Sequence, residues 1–323
     1  MSKESQAQIE SRTFSELHLT PARLGDFGRI VRGARRGYVR GIDLEVVLPS
    51  YSKEKYGKFE DAEDQARNNE IFTSLFRSVF SSMLAWPRDE SHRAGITLSM
   101  RNIYSPSDFS RQSKEVFKAR QWERIRGGKD LFHLRYSKSY LCLFPFKAGE
   151  VLLESVEAIT NLYIEGSAPR HVWPASCSQI IATLPRLQIF SADLADSEKR
   201  DLELRKSARN GKGIRLPTTF IYLHECSEFA ESTKIWPASI HGLMLSYHNS
   251  QPADEAFSPP NLLSGPDRDQ DLLCVHLRNF SQQLTSLTLH YIVISPSLFW
   301  PLPRHSQHRS PRALLATPHL PLH

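Results

Sequence analysis

Three linked pieces, 39-VRGIDLEV-46, 69-NEIFTSLFRSVFSSMLAW-86 and 95-GITLSM-100, decide the fold. In the first, Val39, Ile42, Leu44 and Val46 follow a strand-like pattern. In the second, Ile71, Leu75, Val79 and Met83 stand four apart, and Phe72, Phe76, Phe80 and Leu84 run beside them. Two adjacent rows at that spacing form one broad apolar stripe on a helix. The third piece is a second strand. Strand, helix, strand in this order predicts a crossover unit, with the helix packed on a sheet. Each large apolar side chain gains roughly 1.5–3 kcal/mol on burial, while ordering the backbone costs roughly 1–2 kcal/mol per residue. The helix therefore needs a neighbouring layer, which the rest of the chain must supply.

That layer is written in a recurring spacing, LxxLxL. It occurs at Phe14/Leu17/Leu19, Val39/Ile42/Leu44, Ile159/Leu162/Ile164, Leu184/Leu187/Ile189, Ile240/Leu243/Leu245 and Leu284/Leu287/Leu289, with a partial copy at Phe220/Leu223 where Glu225 takes the third place. Leu19 and Leu44 are 25 residues apart, as are Leu162 and Leu187. Leucine-rich repeats have periods of about 20–29 residues and stack a short strand with a helix or arc. Their inward side chains make one continuous core, and parallel strands line one face. The expected fold is an α/β, irregular leucine-rich-repeat-like solenoid of short parallel strands and helices. Its expected extent is residues 13–300, after a helical or disordered segment 1–12 and before a disordered, Pro-, His- and Arg-rich tail at 301–323.

Between the repeats, 21-PARLGDFGRIVRG-33 predicts a short helix ending at Gly33. Residues 50–67, with charges of both signs, predict an exposed, mobile insertion. Ser105, Pro106 and Asp108 predict a capped helix start, running to Arg126 and stopping at Gly127-Gly128. Residues 129–146 fit helix or strand. Ser176 and Gln179 predict a capping box before Ile180, Ile181 and Leu184. Residues 196–213 read as a charged helix and loop, and 250–270 as a Pro- and Asp-rich loop.

The chain is 323 residues long, 40% hydrophobic and 24% charged, with formal net charge +6. This is ordinary globular composition, and a charge of that size over this length does not demand a nucleic-acid partner. No apolar run approaches the ~20 residues of a membrane helix, and the polar start lacks a signal-peptide core. Cys142, Cys177, Cys226 and Cys274 are widely spaced, which predicts reduced thiols and a cytoplasmic or nuclear setting.

Chemistry-bearing motifs are sparse. Arg29, Arg32, Arg35, Arg36 and Arg40 form a basic run that could meet phosphates or could be a solvated helix end. His224, Cys226, Cys274 and His276 could supply zinc ligands, but their pair spacing is tighter than in most structural zinc sites. Core or strand packing of Leu273, Val275 and Leu277 accounts better for the second pair. The 211-GKG-213 stretch lacks the phosphate-loop pattern, and no GxSxG, HExxH or DxDxDG motif is present. Trp86, Trp122, Trp173, Trp236 and Trp300 read as core or rim packing. No catalytic, cofactor-binding or metal-ligating residue is assigned, and the chain is expected not to be an enzyme.

Residues flanking an inward strand position face the other side. On that basis the interaction candidates are His18, Asp43, Glu45, Tyr163, Glu165, Gln188, His224, Met244, Thr288 and His290, set against the plainer reading of a solvated sheet face.

The pieces TFSELHLT, RIVRGARRGYVRGIDLEVVLPSY, NNEIFTSLF, YSPSDF, GGKDLFHLRYSKSYL, LPRLQIF and LTSLTLHYIV resemble the body of fungal F-box domain-containing proteins, over residues 5–300. The resemblance implies a leucine-rich-repeat-like body that selects substrates for a ubiquitin ligase. In that family an amino-terminal F-box docks on the ligase adaptor. Here only 2-SKESQAQIESRTF-14 is similar to the segment after its last helix, so no adaptor contact is expected from this chain. The expected partner is a protein on the concave strand face of the solenoid, with a basic, nucleic-acid-associated role or a truncated relative without activity as alternatives.

Overall fold

The computed structural model describes residues 3–84, 86, 95–125, 134–136, 139–143, 153–165, 170–194, 229–246, 272–290 and 296–299. The predicted elements at 196–213, the copy at Phe220/Leu223, the loop at 250–270, Gly127-Gly128 and the tail from 301 lie outside these residues.

Helix α1 (Lys3–Ser15) leads into β1 (Glu16–Leu19), and α2 (Leu24–Ile30) into β2 (Gly41–Val47). Gly33 adopts the left-handed conformation, φ 59, after α2. There follow α3 (Ala62–Leu84), β3 (Ile96–Tyr104), α4 (Arg111–Ile125), β4 (Ile159–Ile164), α5 (Pro174–Ala182), β5 (Ile189–Asp193), α6 (Phe229–Ser232), β6 (Gly242–Ser246), α7 (Leu272–Ser281) and β7 (Ser286–His290). The architecture is mixed α/β, with parallel strands alternating with helices. Among the described residues the strands form one seven-stranded sheet in chain order, and every neighbouring pair is parallel.

The register explains why this sequence makes this sheet. Leu17, Ile42, Leu98, Leu162, Phe190, Leu243 and Leu287 align across all seven strands. Leu19, Leu44, Met100, Ile164, Ala192, Leu245 and Leu289 form the next row. Both rows belong to one core with the helices, fully buried from β2 to β6 and half-buried at Leu287 and Leu289. The predicted crossover of β2, α3 and β3 is present. Phe72, Leu75, Phe76, Val79, Phe80 and Met83 are buried, but Ile71 and Leu84, at the stripe's two extremes, are exposed.

Three expectations are corrected. The first concerns register in β5. Phe190 and Ala192, not Leu187 and Ile189, occupy the core rows, and Leu187 is buried one turn earlier. The spacing there is Leu187/Phe190/Ala192, an aromatic and an alanine standing for two leucines, so the apparent second offset of 25 does not reflect the sheet. The second concerns two acids within residues 50–67, a stretch that is otherwise mostly exposed as expected. Glu60 and Asp64 are buried and ion-paired, and Glu60 N–H donates to the Arg135 carbonyl at 2.8 Å. A mixed-charge stretch looks solvent-seeking until its partners, far along the chain, are known. The third concerns α5. Trp173 is its N-cap, with Pro174 at the first helical position, and Ser176 lies inside the helix, where its hydroxyl accepts from the Leu143 N–H at 3.0 Å.

At 105–125 the cap is as the sequence predicts. Ser105 and Asp108 exchange capping hydrogen bonds around a short 3-10 turn, and α4 begins just after it. Parts of 129–146 resolve into a 3-10 turn at Leu134–Tyr136 and a bridge from Leu141 to Val172. Cys142, Cys177 and Cys274 are free thiols. Burial pushes the Cys177 thiol up to about 12, which keeps it protonated and unreactive.

Gly95 enters β3 with φ +71, and a Cβ there would lie 2.0 Å from Thr160 Oγ1. Thr160 is fully buried in β4, so it has no room to withdraw. Gly95→Ala is expected to destabilise the protein by about 2–3 kcal/mol, from left-handed strain and overpacking together. Urea denaturation checks this, with Gly25→Ala, where a Cβ meets nothing within 4 Å, as the neutral comparison.

Candidate recognition face

One face of the sheet packs against the helices, and the other carries the alternate side chains. Along it His18, Asp43, Ser99, Tyr163, Ser191, Met244 and Thr288 align strand by strand. The adjacent positions include Glu45 beside Asn102, and Asp193, Ser246 and His290 in register. Glu165 directly follows β4, its N–H donating to the Met100 carbonyl at 2.9 Å. Eight of the ten sequence-derived candidates thus share this face.

Gln188 does not. It precedes β5, beside Thr160 and in phase with Phe190. The one-residue register change brings Ile189 to the outer set, while Gln188 is exposed but stands outside the strand pairing. Its carbonyl accepts from the N–H groups of His241 and Gly242. His224 lies outside the described residues.

The first three strands gather the densest polar cluster. His18 Nε2 is hydrogen-bonded to Glu45 Oε2 at 2.7 Å, and His18 Nδ1 lies 3.5 Å from Asp43 Oδ2. The Tyr104 hydroxyl donates to Glu45 Oε1, and this bond, with burial, raises the phenol above its ordinary value. The Glu16 carboxylate lies where a Cβ on Gly41 would stand, so the bare glycine leaves it room on this face. Arg101 Nε pairs with Glu165 Oε1 at 3.3 Å. Phe109, 56% exposed, meets the Tyr104 ring edge-on at 5.1 Å, with Lys114 Nζ 5.9 Å above it.

Tyr104, Arg101 and Phe109 were not among the sequence candidates. A register shift between Leu44 and Glu45 inserts Arg101 opposite no partner and moves Tyr104 into line with Val47. Reading the 95–100 strand four residues further would have shown Tyr104, but nothing local announces the bulge.

Four of the five arginines of the basic run are engaged close to home. Arg29 pairs with Asp26 at 2.5 Å, and Arg35 with Glu10 at 2.9 Å over the Phe14 ring. Hydrogen bonding to Arg35 lowers the Glu10 carboxyl. Arg36 Nε donates to the Val31 carbonyl, and Arg40 Nη1 to those of Gly37 and Val39.

Of the expected core or strand packing, the core holds: Leu273, Cys274 and Leu277 are buried, on helix α7 rather than a strand, because Leu273, Leu277 and Phe280 recur at helical spacing. Residues two apart on a helix do not face together, and His276 Nδ1 instead meets the Ala230 carbonyl. Cys226, the other half of the zinc candidate, is outside the described residues. Among the described residues no cluster of His, Cys, Asp and Glu is arranged to hold a metal ion, and no helix is long and apolar enough to cross a membrane. Trp86, Trp173 and Trp236 are buried, each against another aromatic ring. Trp300 and the side chain of Trp122 lie outside the described residues.

A scan against protein-family models and searches of curated proteins and of solved structures give no match to this chain.

Proposed function

We propose that the chain is a protein-recognition module, a leucine-rich-repeat-like solenoid that acts by binding a partner on its outer strand face rather than by catalysis. By its resemblance to F-box proteins, the reading extends to selecting substrates for ubiquitination, with an F-box supplied elsewhere. One observation carries it: an outer row of unlike side chains in which His18, Asp43, Tyr163, Met244 and Thr288 are partly or fully exposed, with the small Ser99 and Ser191 buried between them. Among the described residues the helices pack on the opposite face, and His18, Asp43, Tyr163 and Met244 are chemically varied enough for specific contact. Tyr163 is the natural anchor, since interface binding energy concentrates in tyrosine, tryptophan and arginine.

Proximity labelling in the native cell tests it, comparing the wild type with Tyr163→Ala/Met244→Ala and with a control at Arg67→Ala/Ser78→Ala on the exposed side of α3. Each lost anchor is expected to cost about 1–2 kcal/mol of binding. The outer-face variant should therefore lose neighbours that the control keeps. Identical labelling in all three proteins would rule the face out.

A further inference from the structure

The charge of the outer face runs against that of the chain. Over β1 to β4 its side chains include four carboxylates, Glu16, Asp43, Glu45 and Glu165, and a single arginine, Arg101. The whole chain carries +6. Thr97, Ser99 and Asn161, between these groups, are short and neutral, and Tyr163 stands beside them. Cationic side chains of the protein itself already settle here: Arg101 lies against Glu165, and Lys114 stands over the Phe109 ring. The His18 imidazole hydrogen-bonds Glu45 and lies beside Asp43.

We propose that this end of the face binds a basic segment of a partner protein, seating lysine or arginine side chains against Asp43 and Glu165 with the Phe109 ring as a flanking cation–π surface. This rests on the recognition reading above and names the chemistry of the partner. Carboxylates outnumber arginines at this end of the face, so charge complementarity favours a basic segment there and speeds its encounter. Asp43 and Glu165 have side chains 39% and 47% accessible, and Glu16 is exposed as well. Glu45, only 15% accessible and held by His18 and Tyr104, fixes the framework.

The test is selection of a random-peptide phage library on the full chain, followed by affinity measurement of synthetic versions of the selected peptides. Variants are Asp43→Lys/Glu165→Lys, the milder Asp43→Asn/Glu165→Gln, and Tyr163→Ala/Met244→Ala, each first shown to keep the wild-type circular dichroism and melting temperature. Selected peptides should be enriched in lysine and arginine. The charge reversal should weaken them on the order of tenfold or more, and the neutral pair less. Basic peptides indifferent to both charge variants would overturn the proposal by placing their site elsewhere. Peptides without excess lysine or arginine that depend on Tyr163 and Met244 would overturn it too, while leaving the recognition reading intact. Selection of no peptide that any outer-face variant weakens would remove both.

Discussion

Arg170→Met is expected to lower the unfolding free energy by about 3–5 kcal/mol. The Arg170 and Glu60 side chains are both fully buried and pair at 2.8 Å. Arg170 also donates to Ser139 Oγ at 2.8 Å and to the Tyr140 carbonyl at 2.9 Å, while Asn68 and Ser139 donate to the Glu60 carboxylate. Removing the guanidinium leaves a buried carboxylate whose remaining donors are neutral. The double variant Glu60→Leu/Arg170→Met abolishes both charges and should recover most of the loss, because an apolar pair avoids the desolvation that the ion pair must overcome. Urea denaturation of the two single variants and the double variant measures the coupling. A single-variant loss under about 1 kcal/mol, the range of solvated pairs, would mean that water reaches Glu60.

This pair belongs to a wider charged layer. Arg135 Nη2 pairs with Asp64 Oδ2 at 2.7 Å, and Lys55 Nζ reaches both Asp61 and Asp64. The Arg135 guanidinium lies 3.8 Å from the Tyr51 ring centre, and Tyr51 and Tyr136 both donate to Asp108. Burial, then the Asp108 charge, raises both phenols. These residues follow β2 and β3, or lie between β3 and β5, and tie those connections together.

Phe76→Ala is the second large effect, with an expected loss of about 3–5 kcal/mol. Phe76 stands between Phe72 and Phe80 on α3, with ring centres 5.1 and 5.8 Å away in edge-on contact. All three rings are almost completely buried against the sheet. Truncation forfeits the transfer free energy of the ring and leaves a cavity that two flanking aromatics cannot both relax into. Phe76→Leu should cost less, roughly 1–2 kcal/mol, since much of the volume stays. Leu84→Ala, on the same helix but 53% exposed, should stay within about 0.5 kcal/mol. Equal costs at Phe76 and Leu84 would mean that α3 is not held by its aromatic face.

The sheet was legible where its side chains keep one hydrophobic type. Leu17/Leu19, Ile42/Leu44, Leu162/Ile164, Leu243/Leu245 and Leu287/Leu289 all fall in the two core rows. Reading failed at Phe190/Ala192, where the rows are filled by a large and a small side chain. It also under-read β3, whose Leu98 and Met100 fill the long gap between the copies at Ile42 and Leu162. The outer residues followed from strand alternation, so His18, Asp43 and Glu45 could be named together before their contact was seen. Gln188 failed for the same reason that Ile189 did. The buried charges could not be read at all. Glu60 and Arg170, like Asp64 and Arg135, are joined only through space, and a lone acid in a polar stretch looks the same whether it meets water or an arginine.

Among the described residues each strand is hydrogen-bonded to its predecessor and its successor, and the first and last share no ladder. Tension applied at the two termini therefore loads the parallel neighbours one after another. In a force spectrometer the chain should come apart as a staircase of small rips, each releasing one strand with its helix, rather than in a single rupture.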